Sequence, residues 1–389
     1  MDSTTEGISA EMTLLFNRLI CERRAANDPL TKRIISRYPG LPVEMIECGR
    51  TLLAGSPSRN GSVPSGPPPR DGSPLTEPPS RNSSLFTEPP SRDGSLLLMH
   101  HPGSFVKDFP AGPDTPPCGE KYIVTMQNCP FTCSYCYLQC YLAHRHMVLF
   151  TNVDEMKGEV RRALESENPP RVLTTGEFGD SLVIDHLTGT TKELLPLVHG
   201  TMIRLEARTK SANIDHLLES APHPNLIVTW TLGPETAILN EEPRTATLDD
   251  RLSALARTAA AGIMVGVRFD PIIPAYAHTG AYREIIERLA ADIDEEAIFR
   301  FELGVLRFPP GLWQEVRARN PRSVLLHGEY LKNRTGKMRL YRPSRVRLYR
   351  DIAGVIREVF GRVPIELSME DRTVWEDAGI EPPVVSSST

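Results

Sequence analysis

At 389 residues the chain can form one large domain with appendages or two ordinary ones, with a sizeable buried core. Its composition, 40% hydrophobic and 24% charged with a formal net charge of -5, is that of a globular protein and excludes a wholly basic nucleic-acid binder. No run of ~18 apolar residues occurs, so no membrane span is expected, and the opening MDSTTEGISAEMTLLF carries acids where a secretory leader needs basic residues, so the expected location is the cytoplasm.

Residues 1–54 are read as an N-terminal element. Leu14, Leu15, Leu19 and Ile20, followed by Ile34, Ile35 and Tyr38, give Met12 to Ile46 an apolar face that is expected to pack on the main domain. Residues 55–100 differ: much of the excess in the chain's 35 prolines lies here, and a short Ser/Pro-Arg-Asn/Asp unit recurs with Arg59, Arg70, Arg81 and Arg92 at a period of 11. Pro and Gly fall where a helix would need core residues, and too little apolar surface exists to offset the entropy of ordering, so the stretch is read as a disordered repeat insertion.

From Lys121 a β-rich run and a helical pattern alternate. The expected strands are Tyr122 to Met126, Arg171 to Thr175, Met202 to Arg208, Leu226 to Leu232, Met264 to Phe269 and Phe299 to Leu306. Between them Leu248, Leu252, Leu255, Ala256 and Ala259, and then Tyr282, Ile285, Ile286, Leu289 and Ile293, show helical spacing. Such alternation implies crossover connections and a parallel sheet, so residues 101–310 are expected to form an α/β fold, an open (β/α)6 partial TIM-type barrel with its chemistry at the carboxyl ends of the strands. Residues 311–370 are read as a basic C-terminal extension with a hairpin and a helix, and residues 371–389 as a tail.

All seven cysteines lie in the first 140 residues, and four crowd into Cys129, Cys133, Cys136 and Cys140. An odd count in a long chain argues against a disulfide framework, whereas thiolates on a short loop bind soft metals. With Cys140 as a fourth ligand the set suits structural zinc or a fully ligated electron-transfer cluster. With three, a 4Fe-4S cluster keeps one iron open for chemistry. No P-loop and no GxSxG elbow occurs, which removes kinase and hydrolase readings.

The CX3CX2C pattern, with Tyr135 just before the third cysteine, resembles the radical S-adenosylmethionine superfamily. That resemblance implies a 4Fe-4S cluster on Cys129, Cys133 and Cys136, S-adenosylmethionine on the open iron, and reductive cleavage to a 5'-deoxyadenosyl radical. Thr174-Thr175-Gly176-Glu177 is similar to the superfamily's Gly-Gly-Glu element, placing Thr175 and Glu177 at the cofactor's ammonium group. More narrowly, Cys133 to Gln139, Asp180 to Thr188, Thr209-Lys210, Asp215 to Leu218, Phe269 to Ile273 and Leu306 to Phe308 resemble the spore photoproduct lyase family, in the family's order. The resemblance implies that Lys210 holds the cofactor carboxylate and that Tyr135 and Tyr137 serve hydrogen transfer. It also exposes a departure. Family lyases return a hydrogen atom from a cysteine just after the second strand, and alignment on Ile184 to Thr188 puts Glu177 there. A carboxylate cannot donate a hydrogen atom, so Cys140 is the candidate thiol for that role.

Between Arg317 and Arg350 lie eleven basic residues against one acid, with Tyr330, Tyr341 and Tyr349 interleaved. Lys332, Arg334, Lys337 and Arg339 flank a hairpin signal and are the candidate nucleic-acid contacts; the family's C-terminal hairpin engages damaged DNA. The expected partners are DNA and an electron donor such as flavodoxin or ferredoxin. Three readings result: a lyase acting on a DNA lesion, a radical enzyme modifying a small molecule or peptide, and a metal-stabilised nucleic-acid-binding protein using Cys140 as fourth ligand.

Overall fold

The computed structural model describes residues 16–53, 94–110, 114–144, 146–277, 280–333 and 336–383. Its largest sheet has the order β16-β12-β11-β10-β9-β8-β5-β4, with β4 (Val106–Asp108), β5 (Glu120–Ile123), β8 (Val172–Thr175), β9 (Arg204–Thr209), β10 (Leu226–Thr231), β11 (Met264–Ile272), β12 (Ile298–Val305) and β16 (Ile365–Leu367). Only β4 runs antiparallel. The six expected strands are β5 and β8 to β12, each joined to the next through helices, and the sheet stays open between β4 and β16. Every residue of β10, Leu-Ile-Val-Thr-Trp-Thr, is buried, as a parallel strand covered on both faces must be. The covering helices bury their expected stripes: Leu248, Leu252 and Leu255 of helix Leu248–Ala260, whose Thr247 cap accepts from the Asp250 N–H at 3.1 Å, and Tyr282, Ile285, Ile286 and Leu289 of helix Ala281–Asp292.

A second sheet has the order β2-β1-β3-β7-β6, from β1 (Arg18–Glu22), β2 (Val43–Ile46), β3 (Ser95–Met99), β6 (Met126–Gln127) and β7 (Met147–Phe150). The N-terminal element thus contributes two parallel strands and helix Pro29–Arg37, which buries Leu30 and Ile34. Here the sequence-based boundaries need correction. Ser95–Met99, assigned to the insertion, is a wholly buried strand between β1 and β7, because Leu96, Leu97 and Leu98 supply apolar surface that the preceding repeats lack. Residues 55–93 of that insertion, with its four periodic arginines, lie outside the described residues. The expected first strand also ends early: β5 stops at Ile123, and Met126 crosses to pair with Leu149 in the second sheet, burying its side chain there.

Beyond β12, a three-stranded antiparallel sheet of order β13-β15-β14 forms from β13 (Arg307–Phe308), β14 (Tyr330–Lys332) and β15 (Met338–Leu340). The hairpin expected around Asn333 to Lys337 is therefore present, and it returns onto the end of the last barrel strand. Helix Arg342–Phe360 packs on helix Ala281–Asp292. The presumed tail is not one throughout: helix Arg372–Ala378 buries Val374, Trp375 and Ala378, and the Trp375 indole donates to the Glu370 carbonyl at 3.2 Å.

The barrel lumen is charged. Glu206 and Arg208 on β9, Arg268 and Asp270 on β11, and Arg300 and Glu302 on β12 stand at alternate positions; Arg208 pairs with Glu206 and with Glu120 of β5, Arg268 with Asp270 and Glu302, and Arg300 with Glu206, Glu120 and Glu366 of β16. Buried charges persist only when paired in this way.

Candidate active site at the barrel mouth

The cysteine loop hangs from β6, between the two sheets. Asn128, directly before Cys129, has φ 65, and its side-chain amide donates to the His146 carbonyl at 2.8 Å, which holds this uncommon conformation. Cys133 follows, buried, and the Gln139 amide donates to its carbonyl at 2.6 Å. From across the barrel the segment Glu241 to Pro243 grips the loop. The Ser134 N–H donates to Glu241 O at 2.8 Å, Thr132 N–H to Pro243 O at 3.3 Å, the Ser134 hydroxyl to the Glu241 carboxylate and the Tyr135 hydroxyl to the Glu242 carboxylate.

Cys129, Cys133 and Cys136 lie close enough for each to feel the others' charge. Burial pushes the Cys133 thiol up to about 12 against the pull of Lys210, and burial with Asp180 nearby drives Cys129 well above the usual thiol range. A cavity beside Cys129 and Cys136 is lined by Asn128, Phe131, Thr132, Leu138 and Gln139. Among the described residues no three Cys, His, Asp or Glu side chains converge on a single-ion site. A tetrahedral zinc would need its sulfurs ~2.3 Å from one point, whereas a four-iron cluster offers a separate corner to each thiolate. The donor set suits a cluster. None of the described cysteines is in a disulfide.

At the end of β8 the chain turns sharply. Gly176 has φ +93, and a Cβ there would stand 2.8 Å from the Arg208 carbonyl, so only glycine fits. Thr175 is buried and its hydroxyl meets that of Ser181 at 2.8 Å. Glu177 then reaches the mouth, where the Tyr137 hydroxyl donates to its backbone carbonyl. Lys210, just past β9, lies with its ammonium 5.4 Å from the Tyr135 ring centroid. Burial alone would lower that ammonium's pKa, but Cys133, Glu242 and Asp180 hold it above the ordinary value. Cys129, Cys133, Cys136, Tyr135, Tyr137, Thr175, Glu177 and Lys210, all named from sequence, thus fall into one constellation.

Cys140 packs with Tyr135 against the apolar cluster of Leu312, Val316 and Leu325, its sulfur toward Gly311 of helix Pro310–Arg319. Arg339 is held by Glu370 at 2.8 Å and by the Met369 carbonyl at 2.6 Å, which makes it part of the scaffold. Arg334 lies outside the described residues, and Lys332 is exposed on β14. Lys337, by contrast, is half-buried where the hairpin meets the mouth, within electrostatic reach of Glu177, Arg307 and Arg339.

Sequence reasoning missed the residues that hold this arrangement. Asp180, 5% exposed, accepts from the N–H groups of Leu182, Val183 and Lys210 and from the Thr209 hydroxyl, joining the ends of β8 and β9. Its place in the quoted Asp180 to Thr188 stretch was the available signal. Glu241, Glu242 and Arg251 carried none, being some hundred residues from the cysteines they support.

Comparison with known proteins bears on this geometry. The family model for spore photoproduct lyase matches residues 113–360. The chain belongs to the spore photoproduct lyase family. Lyases of this family from Geobacillus sp. (strain Y412MC61) and Bacillus subtilis (strain 168) are each 27% identical over 217 residues, 54% of this chain and 63% of the relative. The match therefore spans just under two thirds of these curated relatives. Among solved structures, spore photoproduct lyase complexed with dinucleoside spore photoproduct superposes with a TM-score of 0.70 at 21% identity, covering 90% of this chain and 98% of that one. A variant with bound AdoMet and dinucleoside spore photoproduct gives the same values. These likenesses establish the fold, an open partial barrel. No helix among the described residues is long and apolar enough to cross a membrane.

Proposed function

We propose that the chain is a radical S-adenosylmethionine enzyme of the spore photoproduct lyase type acting on a lesion in DNA. The observation that carries this reading is the meeting of three elements at one mouth: the three-cysteine loop, the Glu177 turn, and the hairpin bearing Lys337. A 4Fe-4S cluster with S-adenosylmethionine, bound here, supplies reductive generation of a carbon-centred radical that takes hydrogen from the substrate. Cys129, Cys133 and Cys136 would hold the cluster, and they must lose their protons to do so. Lys210 would pair with the cofactor carboxylate, Glu177 with its ammonium, and Thr175 would place the turn between them. Of the two tyrosines, Tyr137 is bonded at Glu177, whereas the Tyr135 hydroxyl faces Glu242. Lys337 and the exposed Lys332 would meet DNA phosphates. An electron donor of the flavodoxin or ferredoxin kind completes the reaction.

One observation favours a second reading, a radical enzyme for a small molecule or peptide. Alignment on Ile184 to Thr188 puts Glu177 where family lyases carry the hydrogen-donor cysteine, and Cys140 is packed against helix Pro310–Arg319. Incubating the reconstituted, reduced protein with S-adenosylmethionine and ultraviolet-irradiated DNA separates the two. Release of 5'-deoxyadenosine with restored thymine supports the lesion reading; deoxyadenosine without repair moves the assignment to the second.

A further inference from the structure

We infer that Glu242 is a positioning residue that also sets the charge environment of the cysteine loop, so that it tunes the reduction potential of the cluster; the inference rests on the cluster reading above. Glu242 is 8% exposed, and both carboxylate oxygens are fixed. Oε1 accepts from the Tyr135 hydroxyl, and Oε2 accepts from Arg251 at 2.6 Å. Arg251 is wholly buried and locked in turn by the Thr231 carbonyl at 2.8 Å, the Ala246 carbonyl at 2.9 Å and the Thr245 hydroxyl at 2.6 Å. The carboxylate can neither swing to solvent nor be screened by it.

Its field falls on the ligand set. Glu242 acts electrostatically on Cys133 and on Lys210, and it accepts its hydrogen bond from Tyr135, the residue directly before Cys136. Reduction adds an electron next to this fixed negative charge, so the charge opposes reduction, while net charge, hydrogen bonding and burial are the levers that set cluster potentials. Glu241 beside it is different. Its carboxylate is bonded to the hydroxyls of Ser134, Tyr276 and Ser323, the last two at 3.0 and 2.7 Å, and its role is mechanical attachment of the loop.

The test is the midpoint potential of the reconstituted full-length protein, followed by paramagnetic resonance during an anaerobic redox titration. Glu242→Gln removes the charge and should raise the potential, so that a mild reductant leaving the wild type oxidised reduces the variant. Glu242→Asp keeps the charge and should restore the wild-type value. Tyr135→Phe removes the donor that spreads the carboxylate's charge and should lower it. A Gln variant with intact cluster and unmoved potential overturns the inference, as does an equal rise in the Asp variant. If the Gln variant holds no cluster, an unmoved potential in Tyr135→Phe overturns it instead. A wild-type chain that assembles no iron–sulfur centre refutes the cluster reading itself.

Discussion

The Tyr137 hydroxyl donates to the Glu177 backbone carbonyl at 2.8 Å and stands 3.2 Å from its Oε1, tying the residue after Cys136 to the turn at the end of β8. That bond aligns the cluster loop with the mouth. Tyr137→Phe should keep its iron and still release 5'-deoxyadenosine without DNA, yet lose about 10²-fold in turnover of irradiated DNA, the scale of a ~1 Å misplacement of reacting groups. Undiminished turnover would show the bond to be incidental.

Glu177→Cys places a thiol on the same turn. A thiol hydrogen exchanges with solvent and is transferable to a carbon radical, which a carboxylate proton is not. With irradiated DNA in deuterated buffer, the variant is expected to form more thymine per deoxyadenosine than the wild type, with deuterium carried into the product. Mass spectrometry of the thymidine recovered by enzymatic digestion of the repaired DNA decides it; a product free of deuterium sinks the expectation.

Burial and the neighbouring Arg307 and Arg339 lower the Lys337 ammonium to about 8. The folded chain therefore releases this proton before the unfolded chain does, and between about pH 8 and the ordinary lysine range stability rises with pH. Phosphate binding runs the other way, since it needs the ammonium: affinity for DNA should fall as pH climbs through about 8. Lys337→Ala should flatten that pH profile and reduce the salt slope of binding by about 1. Fluorescence anisotropy with a labelled duplex at several salt and pH values is the check.

Much of the barrel was legible because buried parallel strands are near-continuous apolar runs. Leu226–Thr231 and Met264–Phe269 announce themselves in this way. Ser95–Met99 is as apolar, but it abuts the repeats and was absorbed into their composition. Alternating Glu206/Arg208 and Arg300/Glu302 look like the polar face of a half-exposed strand; only closure of the sheet turns that face into a lumen. At the site, the ligands and the Glu177 turn sit in local motifs and were found. Their supports, Glu241 with Ser134 and Glu242 with Tyr135, join segments 107 residues apart, and no local pattern encodes such a pairing.

Cys140→Ala distinguishes a three-cysteine centre from a four-cysteine one. Cys140 packs against the cluster of Leu312 and Val316 and is not among the residues that line the cavity beside Cys129 and Cys136. The variant should hold as much iron and sulfide per chain as the wild type after anaerobic reconstitution, whereas Cys133→Ala should lose most of both. Loss of metal from the Cys140 variant, or zinc in place of iron, would return the protein to the nucleic-acid-binding reading.

Arg300 links four strands through the lumen. It is 2% exposed, meets Glu206 at 3.1 Å and Glu366 at 3.1 Å, and also bonds Glu120. Arg300→Met fills similar space but leaves these carboxylates short of a cation, so the expected loss of stability at neutral pH is about 3–5 kcal/mol. Burial works to raise the Glu206 carboxyl, yet Arg208 and Arg300 hold it far below the ordinary range, so its contribution is full above the unfolded carboxylate pKa and fades as pH falls below it. Without Arg300 the lumen carboxyls take up protons more readily than before, and a protonated carboxyl no longer needs the missing cation. Acidification should therefore narrow the gap between variant and wild type. Denaturant unfolding at pH 7 and pH 5 measures it: a gap of equal size at both values would mean that Arg300 acts through packing rather than charge.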